Sequence, residues 1–139
     1  MSPEAKIAII GGSIALLTTG AISLKFLIRR APLRVKKSKY QKQWKQLQQY
    51  CKDKKTWPTA LAEADKLLDK ALIKRGFKGK NMGERLVSAQ REFTDNDGLW
   101  FGHKLARQLQ EDVEKSLKEK DVKDALMGIG QALKDLGAL

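Results

Sequence analysis

His103, Arg107 and Glu111 are the residues whose types and spacing come closest to a catalytic set. They recur every four positions, which places them on one face of a predicted helix. General acid–base catalysis needs a group that titrates near neutral pH, and an exposed glutamate does not normally do so. Arg107 and Glu111 also have the spacing of a surface ion pair. We therefore predict no catalytic residues and keep these three as a candidate polar site.

His103 by itself fits a structural role. It follows Gly102, which is expected to pack against a neighbouring helix, and it lies within one turn of Trp100. The residues near it in the sequence are basic or apolar, so they offer no partner for a ligand or a substrate. We predict a histidine at the edge of the core that donates to a carbonyl or a carboxylate.

Metal and thiol chemistry find little support. Cys51 is the one cysteine of the chain, so it cannot form an internal disulfide, and with a single histidine it cannot build a zinc site. Residues 95–98 alternate Asp and Asn as a calcium loop does, but the twelfth position counted from Asp95 is Ala106 rather than an acid. We expect this loop to cap a helix, and we expect no metal and no cofactor.

Apolar residues recur at helical spacing along the chain after residue 38, and no segment alternates as a strand does. In the first segment Tyr40, Trp44, Leu47 and Cys51 share one helical face, which we predict to be buried. The signals predict helices from residue 38 onward, over 58–75, from residue 81, over 99–118 and from residue 121. Thr56 is a candidate N-cap, Asn81 and Glu84 fit a capping box, and Gly76 and Gly137 mark helix ends. The predicted fold is all-α, an antiparallel bundle of four main helices plus a short one.

The second of these helices has an apolar face and a charged face. We predict that its leucines and alanines are buried and that the charged face is solvated. The charged residues are Glu63, Asp65, Lys66, Asp69 and Lys70.

Residues 1–30 have the pattern of a transmembrane anchor. The eighteen residues 7–24 carry no charge, and a helix with Ile7 and Ile28 at its ends would span about 33 Å, enough for a hydrocarbon core. A cleaved signal peptide would place its positive charge before the apolar run, whereas here it follows. A helix buried in a soluble protein is the other alternative. Small residues at 11, 15 and 19 would allow close helix approach, so a homodimer is one expectation.

Dense positive charge follows the apolar run. Residues 25–55 carry twelve basic residues and one acid, which accounts for almost all of the net charge of +12. Charge beside an anchor determines topology and contacts anionic lipid, whereas charge spread over a domain would favour nucleic acid. We predict an N-terminus outside the inner membrane of a bacterium, a basic linker over 31–37 and a cytoplasmic domain over 38–139. The candidate lipid and topology residues are Lys25, Arg29, Arg30, Arg34, Lys36, Lys37 and Lys39.

Four short motifs carry a resemblance to known proteins. The motifs are 63–69 (Glu-Ala-Asp-Lys-Leu-Leu-Asp), 83–91 (Gly-Glu-Arg-Leu-Val-Ser-Ala-Gln-Arg), 100–105 (Trp-Phe-Gly-His-Lys-Leu) and 132–139 (Ala-Leu-Lys-Asp-Leu-Gly-Ala-Leu). The likeness covers nearly all of residues 38–139 and is to uncharacterised single-pass membrane proteins of candidate-phyla (Patescibacteria or Saccharibacteria-type) bacteria. Their soluble domain is in turn similar to HEPN helical bundles, some of which cleave RNA.

The resemblance implies a fold but not a nuclease. In those relatives His-Lys-Leu is continued by Arg-Asn, three residues and His, the pair that makes a ribonuclease site. Here Ala106 stands in place of that Arg, Arg107 in place of the Asn and Glu111 in place of the His. We therefore predict a membrane-anchored, non-catalytic binding or scaffold module with an unknown protein partner. A membrane-tethered RNA-binding module and a degenerate HEPN-type ribonuclease are the alternatives.

Overall fold

The computed structural model describes residues 35–112 and 116–139. In these ranges the chain forms five α-helices and three 3-10 turns, and no strand, which confirms the all-α prediction. The helices are α1 (Lys37–Gln48), α2 (Trp57–Lys74), α3 (Met82–Ser88), α4 (Asn96–Glu111) and α5 (Glu119–Asp135).

The predicted anchor falls outside the described residues. Within the described ranges, no helix has both the length and the apolar character needed to cross a bilayer. The helices belong to a compact unit, Arg34–Leu139. Lys37, which the sequence places in the linker, is the first residue of α1. The predicted span and flank residues that lie outside the described ranges are Ile7, Lys25, Ile28, Arg29, Arg30 and Arg34.

Helix α1 packs on the bundle through the predicted face. Tyr40 and Leu47 are buried and Trp44 is half-buried, as their spacing of four and three residues requires. Cys51 lies beyond the helix in a 3-10 turn (Gln49–Lys52) and is half-buried. The apolar spacing therefore identifies the contact face of α1 and of the 3-10 turn that follows it.

Helix α2 begins and ends within one residue of the prediction. Pro58 lies in its first turn, where the missing N–H costs little. Gly76 follows the helix with φ of 83°, a left-handed conformation that suits glycine, and the N–H of Phe77 donates to the Leu72 carbonyl over 3.1 Å. Thr56 precedes the helix as predicted, but its hydroxyl donates to carbonyls of the preceding turn instead of accepting a helix N–H.

Side-chain caps lie at the N-termini of the next two helices, α3 and α4. The amide oxygen of Asn81 accepts the N–H of Glu84 over 2.9 Å at the start of α3, as predicted. The Glu84 carboxylate accepts the N–H of Lys80, so the reciprocal bond of the capping box is displaced by one residue. Asp95 accepts the N–H of Gly98 over 3.0 Å and caps α4, the role that we predicted for it.

Helix α4 is shorter than the sequence predicts. It ends at Glu111 because Asp112 has an extended backbone with φ of −133° and ψ of 93°. Leu117 then packs into the core with Leu109 and Val122. The apolar spacing through residues 113 and 116 continued past this point, so the predicted end at residue 118 was wrong.

The buried side chains form two clusters, and α4 and α5 make the most extensive helix contact. A Cβ on Gly128 would overlap the backbone of Gly98, and one on Gly102 would lie 2.7 Å from the Ala125 carbonyl oxygen. Because position 98 meets 128 and position 102 meets 125, the two helices run antiparallel. The largest fully buried side chains are Leu61, Leu68, Leu72, Leu86, Leu99, Ile129, Leu133 and Leu136.

Candidate binding groove and buried histidine–aspartate pair

The side chain of His103 faces Asp65 inside the bundle. Its Nδ1 lies 2.9 Å from one carboxylate oxygen of Asp65 and 3.2 Å from the other. Only 5% of the histidine side chain and 9% of the aspartate side chain are exposed. The Trp100 ring packs edge-on against the imidazole with ring centres 5.8 Å apart. A buried polar pair of this kind joins α2 to α4 and leaves little access for a substrate.

Asp65 is a correction to the predicted solvated face of α2. It lies four residues after Leu61 and three before Leu68, so it shares their helix face and is buried with them. The buried carboxylate is tolerated because it forms a hydrogen bond with the His103 ring. The spacing of Asp65 from Leu61 and Leu68 indicates burial, but the charged residues at 63 and 66 favour an exposed face.

Asp69, also assigned to the solvated face, is only partly exposed and binds Arg85. The guanidinium donates from Nε to one oxygen over 2.7 Å and from Nη2 to the other over 2.8 Å. This two-point hydrogen bond raises the pKa of Arg85, with a smaller Coulombic contribution from the same carboxylate. Arg85 also donates to the Gly79 carbonyl, so it ties α3 and its preceding loop to α2.

The three members of the candidate polar site do not face one point. His103 is buried, whereas Arg107 and Glu111 are exposed on α4. In the described residues no ion pair joins Arg107 to Glu111. Ala106, which holds the position of the arginine in the resembled nucleases, is buried in the second core cluster.

Among the described residues, acidic, cysteine and histidine side chains do not gather into a metal site. Across residues 35–112 and 116–139, no group of three such residues could hold an ion. Lys36, Lys37 and Lys39, the described members of the lipid and topology set, are all exposed.

A groove of about 550 Å³ with mainly apolar walls lies between α1 and α5. Its wall on α1 includes Trp44 and Leu47, and its wall on α5 includes Leu126 and Met127, with Leu139 at one end. Met127 is 73% exposed, more than any other large hydrophobic residue described. Depressions with apolar walls and a few polar groups are the usual candidates for binding sites, so we take this groove as the candidate site.

The floor of the groove depends on a small residue. A Cβ at Gly130 would lie 3.1 Å from the Trp44 ring, so the glycine allows the indole to lie flat against α5. Cys51 also lines the groove, and partial burial raises the pKa of its thiol. The sequence predicted the Trp44 and Cys51 face, but it assigned that face wholly to the core.

Polar residues at the groove are basic or neutral. Lys123 and Lys134 line it together with Gln48 and Gln131, and no acid is among the described lining residues. The Lys123 ammonium lies 3.2 Å from the Glu119 carboxylate, whereas Lys134 makes no such pair within the described residues. The groove therefore combines apolar walls with a positive edge.

Comparison of the chain with protein-family models, with curated proteins and with solved structures finds no match.

Proposed function

We propose that the chain is a membrane-anchored, non-catalytic binding module whose cytoplasmic bundle holds an amphipathic helix of a partner protein in the α1–α5 groove. The observation that carries this proposal is the apolar groove with Met127 open to solvent. Two helices with an apolar channel between them are a common receptor for a third helix. Methionine suits such a surface because its unbranched side chain adapts to different partners.

Charge defines the partner further. Lys134, which pairs with no acid among the described residues, places a positive charge beside the apolar walls. Lys123 places a second one there, and its ammonium also contacts Glu119. A helix with leucines on one face and glutamates beside them would satisfy both features, because opposite charges at the edge select and orient a partner. The proposed ligand is therefore an acidic amphipathic helix.

The membrane anchor in this proposal rests on the sequence. Residues 7–24 are uncharged, and the basic run that follows favours a cytoplasmic location for everything after it. A reporter fused after Leu139 should be active if it functions in the cytoplasm and inactive if it needs the periplasm. Periplasmic activity would contradict the topology without affecting the groove.

The non-catalytic part is supported by the positions of the polar residues. The resemblance implies an arginine followed five residues later by a histidine, whereas here Ala106 and Glu111 occupy these two positions. The one histidine of the chain, His103, is engaged by Asp65. A HEPN-like arrangement of the five helices is part of the proposal. Purified residues 34–139 should not cleave RNA without metal, and cleavage lost in both Arg107→Ala and Glu111→Gln would restore the nuclease alternative.

The groove is tested by peptide binding to residues 34–139, which form a compact unit. The probe is a fluorescent peptide of leucine, alanine and glutamate with an amphipathic helical pattern, and its control has lysine in place of glutamate. We expect Met127→Glu to weaken binding of the acidic peptide about tenfold or more, because it adds repulsion and removes an apolar contact.

Val87→Glu is the matched control, since Val87 is 54% exposed on α3, outside the groove. Circular dichroism verifies that both variants are folded. Equal losses in the two variants, or equal binding of acidic and basic peptides, would contradict the proposal. If Met127→Glu instead changes the sedimentation of the free domain from dimer to monomer, the groove is a contact between two copies of the chain.

A further inference from the structure

The segment from Val35 to the start of α2 is rich in exposed lysines. Only one acid, Asp53, accompanies them, and all eight lysines are exposed. Within the described residues none of them forms an ion pair. The eight are Lys36, Lys37, Lys39, Lys42, Lys45, Lys52, Lys54 and Lys55.

Helix α1 presents part of this charge on one face. Lys42 and Lys45 are three residues apart and exposed, so they share a face opposite the buried Tyr40 and Leu47. Ser38 and Gln49 continue the same face and are exposed and neutral. The outer side of α1 therefore carries two neighbouring lysines among neutral polar residues. We call this surface the lysine face and define it by Ser38, Lys42, Lys45 and Gln49, the first residue of the following 3-10 turn.

We propose that the lysine face of α1 binds the anionic headgroups of the bilayer, so that α1 lies along the membrane surface. This inference rests on the proposed anchoring and adds the orientation of the bundle to it. Lysines close to an anionic membrane surface are attracted to it. The attraction decreases with distance from the surface, and salt screens it. No acid lies between residue 25 and Asp53, so no negative charge in this stretch of the sequence opposes the attraction of Lys42 and Lys45 to an anionic surface.

Nucleic acid fits this face less well. Proteins that bind single strands alternate basic residues with aromatic platforms for the bases. On α1 the aromatic residues are Tyr40, which is buried, and Trp44, which lies in the groove. The side chains beside Lys42 and Lys45 are instead neutral and polar, which suits contact with headgroups.

The test measures lysine acetylation, residue by residue, on the full chain in nanodiscs. One set of discs contains phosphatidylcholine and the other adds phosphatidylglycerol. We expect Lys42 and Lys45 to react about fivefold more slowly in the anionic discs, with the difference removed by high salt. Lys104, exposed on α4, is the internal control and should react equally in both.

A variant pair tests the cause. Lys42→Gln should reduce the protection of Lys45 in anionic discs, whereas Lys104→Gln with Lys120→Gln should retain it. Equal acetylation of Lys42 and Lys45 in the two kinds of disc would overturn the inference. Polyuridylate is added to the phosphatidylcholine discs as a further comparison. If it protects Lys42 and Lys45 as strongly as phosphatidylglycerol does, the face binds nucleic acid and the inference is overturned. Failure of the chain to elute with either disc would contradict the anchor itself, which is a separate outcome.

Discussion

The Nδ1 atom of His103 lies 2.9 Å from Oδ1 of Asp65, and the two residues are 38 positions apart in the sequence. Each is the main polar partner of the other in an environment that excludes water. The pair links α2 to α4 at a depth where neither helix could leave a polar side chain unpaired. It therefore determines how these two helices align.

Removing one member of this pair should destabilise the bundle. We expect Asp65→Ala and His103→Ala each to lower the free energy of unfolding by about 2–4 kcal/mol, because the remaining partner stays buried and unpaired. Urea denaturation measures this, and Glu63→Ala, at an exposed position on α2, should cost under about 0.5 kcal/mol. The double variant Asp65→Ala with His103→Ala should lose less than the sum of the two single losses. Additive losses would show that the two residues do not interact.

The contact of α4 with α5 should not tolerate a side chain at Gly128. We expect Gly128→Ala to reduce stability by about 2–3 kcal/mol, because its methyl group would overlap the backbone of Gly98. Gly83→Ala is the control, since there a methyl group would meet only the Asn81 side chain at 3.3 Å and would favour the helix. Thermal unfolding compares them, and equal melting temperatures would contradict the close helix contact.

Arg85 should not be replaceable by lysine. A lysine cannot make the two parallel hydrogen bonds to Asp69 together with the bond to Gly79, so we expect Arg85→Lys to cost about 1–2 kcal/mol. Arg91→Lys, at an exposed position, should leave the urea midpoint unchanged. A midpoint that is also unchanged in Arg85→Lys would mean that the ion pair contributes only its charge.

Burial raises the pKa of the Cys51 thiol, so the folded state favours the neutral form. This contribution to stability is fully present below the pKa of the unfolded chain, about 8.5, and is lost as pH rises through the higher folded value. Because the thiolate is the reactive form, the ratio of folded to urea-unfolded alkylation rates with iodoacetamide should increase above about pH 8.5. A ratio that is constant with pH would attribute the slow reaction to access alone.

Local patterns in the sequence predicted the helices and most of the core. The spacing of Leu61, Leu68 and Leu72 identified the buried face of α2 because periodicity within a helix depends only on near neighbours. The burial of Asp65 could not be read in the same way, since it depends on His103 in another helix. The groove was missed for a related reason, because the spacing of Trp44 cannot distinguish a covered face from an open one.

The end of α4 shows a further limit. Apolar spacing continues beyond Glu111, but the chain leaves the helix there so that Leu117 can pack in the second cluster. Such a break is decided by tertiary packing, and no glycine or proline marks it in the sequence.

The methyl resonances of methionine report directly on whether the α1–α5 groove binds an acidic amphipathic helix. Residues 34–139 contain Met127 in the groove and Met82 packed against the first core cluster, so methyl-labelled methionine gives a reporter and an internal reference. On titration with the acidic peptide we predict a saturable shift of the Met127 methyl signal and a constant Met82 signal. Saturable binding of the peptide with an unchanged Met127 signal would show that the peptide binds outside the groove.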